Sequence, residues 1–277
     1  MDLFKQTCLK CSKVITEAYS TSFTLGIKTL DAKFHFPIYA IYGFVRCADE
    51  IVDTFHEHDK QALLQEFKEQ TYKAIQTGIS LNPVLHAFQS VVNEYKIDLV
   101  YIEAFLKSME MDLDEQQYDH QLYGDYIYGS AEVVGLMCLK VFCEGNDELF
   151  EKLKKPACSL GAAFQKVNFL RDMQSDYLER GRVYFPKVEF KQFDNISKAE
   201  IEADICKDFE DAYKGIMQLP RSARLGVYLA YKYYMKLFRK LQDLPATHIL
   251  SNRVRVPDNT KLALLVSSYV RYRLNAI

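Results

Sequence analysis

Tyr42-Gly43-Phe44-Val45-Arg46-Cys47-Ala48-Asp49-Glu50-Ile51-Val52-Asp53 reads as one helix that serves two opposed demands. At about 100° per residue, Tyr42, Arg46, Asp49 and Asp53 fall within about 60° of arc. The rest of the segment, with Phe36, Ile38, Tyr39 and Ile41 before it, is apolar nearly all round. A helix of that kind is buried, and a buried stripe with two carboxylates needs a compensating cation.

A second stretch repeats the pattern: Gln165-Lys166-Val167-Asn168-Phe169-Leu170-Arg171-Asp172-Met173-Gln174-Ser175-Asp176. Asn168, Asp172 and Asp176 stand four apart, so they stack on one helix face within about 80°. Like charges at that spacing repel each other. One D-x-x-x-D on a helix is usually a solvated face; two such clusters on two long apolar helices point elsewhere. Hard Mg²⁺ takes oxygen ligands and shares its remaining positions with phosphate oxygens and water. Two facing carboxylate helices would hold several such ions around a diphosphate, drawing negative charge off it as a leaving group. Arg46, Arg171 and Arg182 are placed to fork onto phosphate oxygens, or to pair with the neighbouring carboxylates.

The bulk of the chain fits a helical, cavity-bearing protein. Of 277 residues, 49% are hydrophobic, and only 11 are Gly and 7 Pro, so few breakers interrupt long helices. The formal charge of −2 argues against a nucleic-acid partner, which usually requires a basic face. Cys8, Cys11, Cys47, Cys138, Cys143, Cys158 and Cys206 are an odd set that reads as reduced thiols. Cys8 and Cys11 have no second ligand pair nearby, so two thiols near a helix start are a better reading than zinc. The N-terminus lacks a basic region followed by an apolar run. Phe36 to Val45, read as the longest apolar stretch, is about half the roughly 20 residues needed to span a bilayer. A cytoplasmic location is expected, either free or peripheral to an inner membrane.

The 3.6-residue apolar rhythm predicts helices near 3–19, 37–56, 59–77, 83–95, 98–112, 120–143, 147–178, 198–217, 220–243 and 259–274. Pro37, Pro83 and Pro220 suit first helical turns. Ser197 with Glu200 fits a capping box, and Asp258 or Asn259 suits a cap for the last helix. Only Gly181 to Asn195 reads as clearly non-helical. No repeat or linker interrupts the chain, so 1–277 is expected to be a single all-α domain.

These motifs, in this order, resemble the trans-isoprenoid head-to-head synthases, the family of phytoene, squalene and dehydrosqualene synthases. Tyr19-Ser20-Thr21-Ser22-Phe23 is similar to the family's S-x-S-F segment, and Tyr42 through Asp53 to its first aspartate-rich motif, with Glu50 where many members have Asp. Met109-Glu110-Met111-Asp112-Leu113 resembles its M-x-M-D-L segment. Tyr126 through Gly135 resembles its Y-C-Y-x-V-A-G-x-V-G stretch, with Glu132 in place of a usual Gly. Gln165 to Asp176 matches the second aspartate-rich motif, Arg182-Val183-Tyr184-Phe185-Pro186 the R-x-Y-F-P after it, and Tyr234 with Arg253-Val254-Arg255-Val256 the C-terminal signature.

The resemblance implies a large helical bundle of the isoprenoid synthase type around a central cavity. Metal ligands would come from Asp49, Glu50, Asp53, Asp112, Asn168, Asp172 and Asp176, with Mg²⁺ or alternatively Mn²⁺. Catalysis would fall to Asp49, Asp53, Asp172, Asp176, Tyr126 and Tyr42. Substrate diphosphate would be held by Ser20, Ser22, Arg46, Gln165, Asn168, Arg171, Tyr234 and Arg253. Phe23, Ile27, Tyr39 and Phe164 are expected on the cavity wall, where aromatic faces can stabilise a passing cation. The implied reaction joins two geranylgeranyl diphosphates into phytoene. It passes through a cyclopropylcarbinyl (prephytoene) diphosphate, releases two diphosphates and calls for no NADPH. A side chain as small as Ile27 leaves room for long chains and favours C20 substrates. Three other readings stay open: dehydrosqualene or squalene synthesis from farnesyl diphosphate, cyclisation of a single diphosphate, and a non-catalytic helical scaffold. A water-insoluble product implies transient membrane contact. The oligomeric state is left open.

Overall fold

A computed structural model describes residues 2–113, 118–186 and 188–277. Among the described residues the chain is helical and contains no strand. The helices are α1 (Leu3–Tyr19), α2 (Thr21–Lys28), α3 (Ala32–Asp53), α4 (Lys60–Thr77), α5 (Pro83–Tyr95) and α6 (Leu99–Met111). They continue as α7 (His120–Ile127), a π turn (Tyr128–Glu132), α8 (Val133–Cys143), α9 (Asp147–Arg180) and α10 (Asn195–Ile216). α11 (Arg221–Gln242), α12 (Ala246–Ile249) and α13 (Asp258–Arg273) complete the chain.

Local chemistry sets the starts. The side chains of Asp59, Asn82, Asn146 and Asp194 each accept from backbone N–H groups of the first turn that follows. Those donors have no intrahelical partner, so each such cap adds about 1 kcal/mol. Three expected starts need correction. α3 begins at Ala32, because Asp31 accepts from the Lys33 N–H at 3.2 Å, and Pro37 therefore lies inside the helix. α10 is capped by Asp194 rather than Ser197, and α13 by backbone at Pro257, with Asp258 already helical. Pro220 precedes α11 as its cap residue; Pro83 is where its missing N–H costs nothing. α2 has no counterpart among the predicted helices.

α3 is a central helix, packed against α1, α5 and α8, while α9 packs against α8 and α10. Phe44 lies parallel on Phe88, ring centroids 3.8 Å apart, with Phe67 and Phe105 around it. All four rings are buried, so truncating Phe44 would cost about 3–5 kcal/mol. A second core forms around α9 from Val167, Leu170, Phe209 and Phe238. Among the described residues, one helical run, His120–Cys143, is long and apolar enough to cross a membrane, and over half of it is buried inside the fold. The acidic faces of α3 and α9 line one cavity between these cores.

Candidate active site

Two cavities meet between α3 and α9. The polar one, about 580 Å³, is lined by Asp49 and Asp53 from α3 and by Asn168, Asp172 and Asp176 from α9. The apolar one, about 370 Å³, runs between α2, α8, α9 and α11 and is lined by Phe23, Ile27, Tyr42, Phe164 and Tyr234 among others. Val45, Ser130, Gln165 and Asn168 line both, so an acidic chamber adjoins an oily one through a shared wall.

Each carboxylate has its own setting. Asp49 is partly buried, its side chain 31% exposed on the wall of the polar chamber. Burial pushes its carboxyl up to about 7; Arg46, 3.8 Å away, opposes that, and Asp53 and Asp112 add to it. Asp172 sits between two guanidinium groups. Arg171 grips it through Nε at 2.9 Å and through Nη2, and Arg253 from the segment before α13 reaches it through Nε at 2.8 Å. Such charge-assisted forks are the strong kind of hydrogen bond.

Asp112, at the end of α6 and expected as a metal ligand, lines the polar chamber and is also bonded to protein groups. Its Oδ2 accepts from the Tyr126 hydroxyl at 2.8 Å, its Oδ1 from Arg182 Nη1 at 2.8 Å, and its carbonyl from Arg182 Nη2 at 2.6 Å. Arg182 is thereby buried against α6 and fastens the segment after α9 instead of reaching for phosphate. Behind this pair, Tyr184 stacks on Phe169 at 4.1 Å and on Tyr126 at 5.2 Å, giving the polar chamber a stiff aromatic floor.

Glu50, expected among the metal ligands, is not on the chamber wall. It accepts from Arg46 Nη2 at 2.5 Å, and Arg46 also lies over the Tyr19 ring at 4.4 Å. Tyr39, expected on the cavity wall, lines neither cavity; it is 2% exposed in the core around α3. Ser22 also lines neither. Ser20 lines the apolar cavity and caps α2, accepting from the Phe23 N–H at 3.1 Å. In the apolar wall, Phe164 stacks on Tyr234 at 3.9 Å, and the Tyr234 hydroxyl donates to Asn168 Oδ1 at 3.3 Å.

Sequence reasoning missed Ser130, Gln174, Ser175 and Glu179 on the polar wall. Ser130 belongs to the π turn, which is held by close backbone approach. A Cβ on Gly129 would lie 2.5 Å from the Ala104 carbonyl oxygen, and one on Gly161 2.7 Å from that of Ala131. π turns concentrate at functional sites, but a helical pattern does not announce one. The available signal was position: Ser130 lies one turn beyond Tyr126 and donates to its carbonyl at 2.7 Å.

The donor set suits a hard divalent cation. The polar chamber is lined by carboxylate and amide oxygens, with no thiol or imidazole among the described residues on its wall. Among the described residues, no three His, Cys, Asp or Glu side chains form a ready cage.

The fold is the all-α isoprenoid synthase fold. A crystal structure described as a dehydrosqualene synthase in complex with ligand superposes with a TM-score of 0.83, at 23% identity, over 99% of this chain and 98% of that one. The squalene/phytoene synthase family model matches residues 16–260, and the chain belongs to that family. It is similar to phytoene synthase 1, chloroplastic, of Solanum lycopersicum, 25% identical over 98% of this chain and 69% of that protein. It is also similar to 4,4'-diapophytoene synthase of Staphylococcus haemolyticus, 27% identical over 75% of this chain and 72% of that one. The family makes it a prenyltransferase-type enzyme of isoprenoid biosynthesis that condenses prenyl diphosphates head to head.

Proposed function

We propose that the chain, as one helical domain, joins two geranylgeranyl diphosphates into phytoene. The observation that carries this reading is the shared wall: Gln165 and Asn168 line both the acidic chamber and the apolar one. A prenyl diphosphate has the same two-part character, with a charged head and an oily tail.

Asp49, Asp53, Asn168, Asp172 and Asp176 would hold Mg²⁺ there. Bound in that chamber, the ion supplies Lewis-acid charge to a diphosphate leaving group. The chain's own residues do the rest. Arg171 and Arg253, already beside Asp172, meet phosphate oxygens. The apolar walls keep two chains in register, which raises effective molarity, and exclude water from the allylic cation. The C1–O bond of the first substrate breaks, and its electron pair leaves with the diphosphate. The C2–C3 double bond of the second substrate attacks the cation. Loss of a proton gives the cyclopropylcarbinyl diphosphate, and a second ionisation, rearrangement and proton loss give the hydrocarbon. Tyr42, Phe164 and Tyr234 present aromatic faces or edges along that path, where a ring face stabilises positive charge.

The relatives called phytoene synthases and Ile27 in the apolar wall support the C20 substrate. A second reading, the C15 substrate, is favoured by the similarity to 4,4'-diapophytoene synthase. The metal assignment is tested by Asp49→Ala and Asp172→Ala. Each is expected to abolish turnover while the helical circular dichroism signal persists, and wild-type turnover in either would sink it.

A further inference from the structure

The outward face of α13 is apolar in a region that is strongly basic. Leu262, Val266, Tyr269, Val270 and Leu274 are between 48% and 73% exposed, and they fall within about 140° of arc. The opposite face packs inward through Ser268, which is buried, and Tyr272, whose hydroxyl donates to the Arg221 carbonyl. A helix apolar on both faces is built to be covered on both. Residues 221–277 hold eleven Lys and Arg against two Asp, although the whole chain has 35 against 37. Arg271 and Arg273 stand in the last turn of α13 itself.

We infer that the outward face of α13 docks on an anionic lipid bilayer, lying in its surface with Arg271 and Arg273 at the headgroups. Charge decides between the occupants. Two copies of so basic a segment, eleven Lys and Arg against two Asp in each, repel one another, whereas anionic headgroups attract it. The helix has 16 residues, about 24 Å, with an apolar stripe along its length, as in-plane membrane helices have. The surface is also close to the oily chamber. Tyr272 and Ile277 pack in one cluster with Leu160, Ile216 and Val227, and the last three line the apolar cavity. The inference deepens the proposed reaction and rests on it only for the water-insoluble product that docking would deliver to lipid.

The test is co-sedimentation of the full chain with vesicles of phosphatidylcholine, with and without phosphatidylglycerol, in the absence of substrate. Binding is expected to be at least about tenfold tighter to the anionic vesicles and to weaken when salt is raised to about 0.5 M. Val266→Asp and the double variant Arg271→Glu/Arg273→Glu alter exposed side chains. Both should keep the wild-type melting temperature and turnover with detergent-dispersed substrate, yet lose vesicle binding by about tenfold or more. Failure of the wild-type chain to bind anionic vesicles would overturn the proposal, as would undiminished binding by both variants. So would a dimer that Val266→Asp dissociates without any vesicle binding, which would give the face to a second copy. Because binding is read without substrate, its failure is separable from failure of the proposed reaction.

Discussion

Arg253 Nε meets Asp172 Oδ1 at 2.8 Å, joining the segment before α13 to a carboxylate 81 residues earlier. Arg171 grips the same carboxylate from the adjacent position, so Asp172 is held in place by two guanidinium groups. Arg253 is about half exposed, and exposed pairs add little stability. Arg253→Ala is therefore expected to move urea unfolding by less than about 1 kcal/mol, while raising the KM for the prenyl diphosphate by about tenfold or more. Equilibrium urea unfolding checks the first part and steady-state kinetics at fixed Mg²⁺ the second, each against Arg253→Lys, which keeps the charge but loses the fork.

Asp49 gives a pH dependence of defined sign. Its carboxyl is raised from 3.8 to about 7 by burial, which outweighs Arg46. A raised folded-state value means that the folded chain keeps a proton the unfolded chain gives up. The associated stability is fully present below about pH 4 and is lost as pH rises through about 7. In EDTA, Asp49→Asn should melt like wild type near pH 4.5 and increasingly above it towards pH 8, by on the order of 1 kcal/mol after allowance for screening. Mg²⁺ with inorganic diphosphate should narrow the gap by stabilising wild type alone.

The Asp112 network predicts an ordering of stabilities. Tyr126→Phe removes one hydrogen bond to a buried carboxylate, a loss of about 1–3 kcal/mol. Asp112→Ala also strands the buried Arg182 guanidinium and should cost more, about 3–5 kcal/mol. Equilibrium urea unfolding of the two variants would show the order, and equal losses would contradict the role assigned to Arg182.

Ile27 is 2% exposed overall and lines the apolar cavity. Ile27→Phe takes volume from that wall. The ratio of kcat/KM for C20 over C15 substrate should fall by about tenfold, because an added ring costs about 1–3 kcal/mol in a packed site. Competition between the two substrates in one tube measures that ratio directly.

Long helices were legible because their apolar periodicity extends over many turns; α5 was placed to the residue and α9 to within two. α2 escaped because eight residues carry too little pattern, and α3 starts before Pro37 because its first turn is held by the Asp31 cap together with Phe34, buried against Phe142. The two acidic stripes were legible because spacing fixes which residues share a helix face. Partnership across the chain was not: the bonds from Tyr126 and Arg182 to Asp112, the hold of Arg253 on Asp172, and the pairing of Glu50 with Arg46 depend on packing. Tyr39 shows the same limit from the apolar side, since helical pattern cannot tell a cavity wall from a core.

The central claim is tested most directly by incubating the purified chain with geranylgeranyl diphosphate and Mg²⁺, without NADPH, and identifying the extracted hydrocarbon by mass spectrometry. The account predicts a C40 hydrocarbon with the mass of phytoene, absent when EDTA is added. A C30 product from farnesyl diphosphate alone would contradict the C20 assignment, and no hydrocarbon from either substrate would contradict the head-to-head reaction itself.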